Sequence, residues 1–439
     1  MTDVLQQIAE QELNRGLPWL QDFRANGQQK LSHYKWPDRR TEDWKYTNLA
    51  ALTKQDYFKA SGALVGGVES RLKQLSLADS KCHHLVFING LFSNEHSDVG
   101  SLPEGVNLVC FDQANTSQRE KIQSLLGTIS APEKHLFSAV NSSLLENGVF
   151  LNVKRGVVLK DPIQITCLST ASDKAFHVPQ RVLALFEERS EATLIEQFAS
   201  SDDSSSCITH GVTELIVEAG ARCQHYRLHQ EGQESMHIGG VHASLQRDAS
   251  LNSFHAAFGS RLQRVDLVVH HMGEGAECVL NGIYLPQQGQ HVDYHTCIEH
   301  RVPHCTSAEN FRGVIGGNGR AVFNGRIHIH PQAQKTLAQL SNKNLLTSNK
   351  AEVDTKPELE IYADDVQCAH GTTVAQLDEK AMQYCLTRGI ARKQAEVMLS
   401  FGFINALVDE IKSEAVAAYL GPIISDLFSR EPSLKGTVL

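Results

Sequence analysis

The residues best suited to chemistry are the histidines and cysteines, 21 and 10 of them, ligands that suit zinc, iron or copper where several converge. The most informative run is Leu359-Glu-Ile-Tyr-Ala-Asp364-Asp365-Val-Gln-Cys368-Ala-His370-Gly-Thr-Thr373. If a strand continues through Val366, then Val366, Cys368 and His370 share one face, which sets a thiolate-capable sulfur beside an imidazole. Two ligands cannot close a tetrahedral site or hold a cluster. The pair therefore reads either as half of a site completed by a partner chain, or as a buried cysteine beside a satisfied histidine.

Three other groupings carry less. In Arg326-Ile-His328-Ile-His330 the alternation of a strand places both imidazoles on one face and Ile327 and Ile329 on the other, giving a bidentate metal site or, more commonly, a polar solvent face. His300, His304 and Cys305 cluster loosely around Pro303, and the adjacent His270 and His271 must point apart on a strand. Neither has decisive spacing. Asp364 and Asp365, with His370, fit an alternative reading, a β-solenoid enzyme acting on polysaccharides, although paired aspartates at a strand end usually form turns.

The common catalytic signatures are missing. No G-x-x-x-x-G-K-[ST] phosphate loop, G-x-S-x-G elbow or H-E-x-x-H helix occurs in the sequence. Gly316-Gly-Asn-Gly-Arg320 lacks the lysine of a phosphate loop and reads as a tight turn. No C-x-x-C pair occurs, which argues against zinc fingers and ferredoxin-type clusters. The 41 Lys+Arg against 50 Asp+Glu leave a net charge of −9, which argues against nucleic acid as the default partner. With no apolar h-region at the start and no apolar run of bilayer length, the expectation is a cytoplasmic chain without membrane contact, its cysteines mostly small buried hydrophobes.

The elements that must position these residues fall into three parts. Residues 1–150 read as a mixed, largely helical domain: an opening amphipathic helix through Val4, Leu5 and Ile8, strands over His84–Asn89 and Asn107–Phe111, and a helix over Ala131–Glu146. Trp44 and Tyr46 read there as packing anchors. Residues 151–378 are short β-rich runs with Gly, Asn and Asp turns. Strand entries at Ala192, Ala221, Ala249 and Ala276 recur with a solenoid-like period, favouring a parallel β-helix over a sandwich. Residues 379–439 turn helical again, with Asp378 as a cap, Gly389 as a break, and an apolar stripe of Phe403, Ile404, Leu407, Val408 and Ile411. Such a stripe is usually core, and also suits docking.

The run Ala351–Thr373 closely resembles the signature of the SufB/SufD family, scaffold subunits of the SUF iron-sulfur cluster assembly system. Gly319–Gly325, Asn342-Lys-Asn-Leu-Leu346 and Arg40-Thr-Glu-Asp-Trp-Lys-Tyr-Thr47 look like the same family, so the resemblance spans essentially the whole chain. It implies a mainly β fold, a right-handed parallel β-helix core flanked by N-terminal and C-terminal helical domains. It also implies a non-catalytic scaffold within a SufBCD complex. The partners implied are SufB, joined through the β-helix, and the ATPase SufC, docked on the C-terminal helices, so that ATP enters only through that partner. His370-Gly371-Thr372 in place of His-Glu-Ala, and Asn342 in place of a cluster-building cysteine, favour the SufD branch. By the same resemblance His370, with Cys368 second, helps to hold a transient iron-sulfur cluster or iron at the interface with SufB. A reduced flavin in the assembled complex stays open.

Overall fold

The computed structural model describes residues 16–54, 56–60, 67–77, 81–204 and 206–429. Helices α1 (Gln21–Leu31), α2 (Val68–Leu75), α3 (Thr116–Leu125) and α4 (Leu136–Leu144) are interspersed with the short strands β1 (Phe58–Lys59), β2 (His83–Ile88), β3 (Leu91–Phe92) and β4 (Val106–Cys110). Then follow β5 (Val149–Val153), β6 (Ile163–Ser169), β7 (Phe176–Phe186), β8 (Glu191–Ser200), β9 (Cys207–Val217), β10 (Arg222–Gln230), β11 (Met236–Leu245) and β12 (Ser250–Ala257). The run continues with β13 (Leu262–His271), β14 (Glu277–Tyr284), β15 (His291–His300), β16 (Thr306–Ile315), β17 (Arg320–Ile329), β18 (Leu337–Leu346), β19 (Glu352–Ile361) and β20 (Gln367–Ala375). Helices α5 (Glu379–Thr387), α6 (Arg392–Val408) and α7 (Glu414–Ser429) close the described chain.

From β5 onward odd strands build one sheet and even strands a second, each strand parallel to its neighbours. This is a β-solenoid with two strands per coil, as the spacing predicts. Inward positions repeat from coil to coil: Val153, Phe186, Val217, Leu245, His271, His300, Ile329 and Ile361 form one column. All but Ile361, on the last coil, are fully buried. Ala221, Ala249 and Ala276 occupy equivalent turn positions just before their strands, but Ala192 does not. It pairs with Cys223, two residues further along the coil, so the first alanine of the apparent repeat is out of register.

Both outer faces are covered. Ile404, Leu407 and Val408 of α6 and Val416, Leu420 and Ile424 of α7 pack on Tyr226, Leu228, Phe254 and Ile283 of the even sheet, so the C-terminal apolar stripe is core. α4 covers Ile208, Met236, Ile238 and Leu262 of the odd sheet. The Arg40–Thr47 motif is a clasp on that same face: Trp44 lies between Phe137 and Arg264, 5.4 and 4.0 Å away, and Lys356 of β19 reaches Glu42 at 2.7 Å. Tyr46, by contrast, is exposed and is not a packing anchor. The glycine cluster is a turn between β16 and β17, with Gly317 at φ 54° and no room at Gly319, where a Cβ would meet Pro286 O at 2.6 Å. Asp378 caps α5 through Lys380 N, and Gly389 breaks the chain before α6 at φ 84°. The expected opening helix through Val4, Leu5 and Ile8 lies outside the described residues.

Candidate functional site

The two ends of the solenoid differ. At the start, the sheets terminate in antiparallel partners, β3 on β2 and β4 on β5, which turn the open edges away. At the other end, among the described residues, β19 and β20 have no further strand. Ile361, Tyr362 and Val374 stand 42%, 61% and 48% exposed there.

Cys368 and His370 sit on this terminal strand. Cys368 pairs with Ala338 and His370 with Leu340, both buried inward-facing residues, so the two side chains share the face that looks along the lumen. The strand begins at Gln367 rather than continuing through Val366, which lies just before it and packs on the lumen core together with Cys368. His370 is exposed and Cys368 is half-buried. Burial raises the Cys368 thiol above its ordinary range, opposed by a backbone hydrogen bond from Ala338. Gln367 N donates back to Thr336 O, so by alternation the backbone groups of Cys368, His370, Thr372 and Val374 point to the unpaired edge.

Beneath this end lies a closed polar knot. Asn342, paired in register with Thr372, is fully buried. It donates to Tyr284 Oη (2.8 Å) and accepts from Asn344 Nδ2 (2.7 Å) and Thr355 Oγ1 (2.8 Å). It offers structure where a cysteine at the same place would offer a thiolate. Glu309, in the same column as Leu340 and His370 but two strands below the latter, is buried with neither oxygen hydrogen-bonded among the described residues. Desolvation pushes its carboxyl up to about 8, with Thr296 opposing.

The other groupings do not converge. His300 is buried, stacked on His271 at 4.3 Å and bonded through Nε2 to Ser307 Oγ at 2.9 Å, whereas His304 is exposed at the tip of a turn. His270 and His271 do point apart, His271 into the lumen and His270 outward to Glu299. His328 and His330 stack at 4.2 Å on the outer face, half-exposed, while Ile327 and Ile329 fill the lumen. Asp364 and Asp365 are exposed, and Asp365 pairs with Lys335.

A buried network that the sequence reading missed lies deeper. Ligand atoms of His229, Glu231 and His237 lie within 4.8 Å of one another. Arg227 donates through Nε to His229 Nε2 (3.3 Å) and through Nη2 to His237 Nε2 (3.1 Å). An arginine can only donate, so both imidazoles carry their protons on Nδ1, which lie 3.5 and 3.0 Å from Glu231 Oε2. With Arg227 also on Glu196 at 3.3 Å, this is a polar brace in which neither imidazole keeps a lone pair for a cation, although His229 Nδ1 and Glu231 Oε2 make no hydrogen bond among the described residues. The H-x-E spacing of 229 and 231 was its only sequence signal.

Comparison with known proteins agrees with this architecture. Residues 168–403 match the family described as SUF system FeS cluster assembly, SufBD core domain, and residues 3–165 match the SufBD protein N-terminal region. The chain is 30% identical to the iron-sulfur cluster assembly protein SufD of Escherichia coli, over 88% of each chain. It is 26% identical to a SufBD family protein of Synechocystis over 96% of this chain and 94% of that one. With SufB of Bacillus subtilis the identity is 22%, over 94% of this chain and 86% of the other. The solenoid, its helical covers and these matches over nearly the whole length establish that the chain belongs to the SufBD family of the SUF iron-sulfur cluster assembly system.

Proposed function

We propose that this chain is a non-catalytic scaffold of the SufD kind, on whose open solenoid end a SufB subunit docks to complete a site for a nascent iron-sulfur cluster or its iron. One observation carries the reading: the N-terminal end of the solenoid is capped by antiparallel strands, while the C-terminal end presents unpaired backbone, exposed apolar side chains and the ligand pair His370 and Cys368. Terminal coils of solenoids need a cap, and an unpaired strand edge is a template for another chain. His370 is the more accessible ligand. Cys368, half-buried and held as a thiol, is the second. Cluster and iron are cargo here. ATP is hydrolysed by a SufC-type partner on the C-terminal helices, where Tyr384 and Met398 remain exposed and where this chain supplies no phosphate loop.

The test is co-expression with the cognate SufB and SufC. The complex of His370→Ala should assemble as wild type but form no cluster, read by visible absorption and iron content. A normal cluster yield from that assembled variant overturns the ligand assignment.

A further inference from the structure

The outer face of the odd sheet carries a column of alternating imidazoles and carboxylates. His270 on β13, Glu299 on β15, His328 on β17 and Glu360 on β19 are register partners on successive strands, so neighbours in the column stand about 4.8 Å apart at the backbone. Glu299 Oε2 lies 3.2 Å from His270 Nδ1 and 3.8 Å from His330 Nε2. Neither nitrogen makes a hydrogen bond among the described residues, although both atoms are shielded from solvent. His328 stacks on the His330 ring and helps to fix it. Arg301 donates to Glu299 Oε2, and Oε1 makes no hydrogen bond with a described residue. A cleft of about 270 Å³ is lined by His270 and Glu299 together with Cys297 and Arg326 and opens onto these two members of the group.

We propose that this face binds one first-row divalent cation, with His270, Glu299 and His330 as ligands and water in the remaining positions. Two imidazoles and one carboxylate with open positions are the donor set that borderline cations favour. Metal–nitrogen bonds near 2.1 Å require both imidazoles to swing toward one point beside Glu299, since their nitrogens do not stand within 4.8 Å of each other here, and the part-exposed His330 ring can do so by rotation. The group differs from the buried trio of His229, Glu231 and His237, where Arg227 occupies the imidazole lone pairs. Arg301 and Arg326 balance Glu299 and Glu360, so affinity rests on the nitrogen ligands rather than on accumulated negative charge. The site shares no residue with the His370 end and does not depend on that assignment.

The test is titration of the full-length chain with Co²⁺ alone, following the visible ligand-field bands. Wild type and His370→Ala should bind one equivalent alike. His270→Ala with His330→Ala should weaken binding at least about 100-fold, since losing even a supporting partner of a ligand costs 10–100-fold. His330→Ala alone, at a part-exposed position, should give an intermediate loss and an altered spectrum with an unchanged melting temperature of the metal-free chain. Undiminished binding in the double variant, absence of binding in wild type, or loss in His370→Ala in place of the double variant would each overturn the proposal.

Discussion

Glu309 offers the sharpest test of the lumen. The folded chain keeps its carboxyl neutral up to about pH 8 because burial penalises the charge, against an ordinary 4.5. An acid whose pKa is raised on folding contributes its stability in full below the unfolded value, and loses it as pH rises through the folded one. The contribution is therefore complete below about pH 4.5 and gone above about pH 8. At about 1.4 kcal/mol per pH unit, the wild type is less stable at pH 7 than at pH 4 by about 3 kcal/mol from this group alone. Glu309→Gln keeps the shape and removes the titration. Urea unfolding of both proteins at pH 5, 6, 7 and 8 cancels every other titrating group in the difference. The gap between the two curves should widen in favour of the variant by about 3 kcal/mol from pH 5 to pH 8. Parallel curves would refute the reasoning and mean that Glu309 finds a cation or enough water to ionise in the lumen.

Three further perturbations probe the frame. Arg227→Met strands Glu196 without its guanidinium and leaves His229 and His237 without their donor, and should cost about 3–5 kcal/mol; Arg227→Lys should not rescue it, since one ammonium cannot span Glu196 and both imidazoles, and thermal unfolding reads both. Trp44→Ala removes the ring between Phe137 and Arg264 and should cost about 3–5 kcal/mol, with protease cleavage appearing first in the 40–47 clasp. Gly239→Ala places a Cβ 1.9 Å from Gly211 O on the neighbouring coil, and because backbone cannot yield as a side chain can, the soluble yield and melting temperature should both fall.

The solenoid was legible because its coils impose a period and its turns need Gly, Asn and Asp. The helical ends were legible because their stripes follow helical spacing. What stayed hidden follows from the covered outer faces. In Tyr226-Arg-Leu-His229 alternation suggests Leu228 inside and Arg227 and His229 in water, and the structure reverses this. Leu228 lies under α6 and α7, while Arg227 and His229 face the lumen. Where helices cover a sheet, both faces are dry and the polar positions no longer mark solvent. The same physics hid Glu309, whose neighbours Ala308 and Asn310 are no more polar or apolar than those of a surface glutamate. The shared face of Cys368 and His370 was legible because a terminal strand, which has lost one neighbour, obeys simple alternation; their role as ligands rests on the family resemblance alone.

That loss also shapes how a partner's motion can reach the site. Arg312 of β16 bonds to Phe403 O and stacks on its ring, and Asn281 of β14 bonds to Glu410 just beyond α6. These bonds tie α6, one of the helices proposed to carry the ATPase, to β14 and β16, while His370 stands on β20, joined to β16 within the sheet through β18. Parallel strands hydrogen-bonded along their length slide poorly but hinge as a unit, so a pull on α6 displaces the last coils together rather than moving His370 alone. Among the described residues the ladder ends at β20, and none of them pairs with its outer edge. If a second subunit pairs to that edge as proposed, it would feel the same displacement across His370 and Cys368, which would set a shared site at the free end of the solenoid and not in its braced interior.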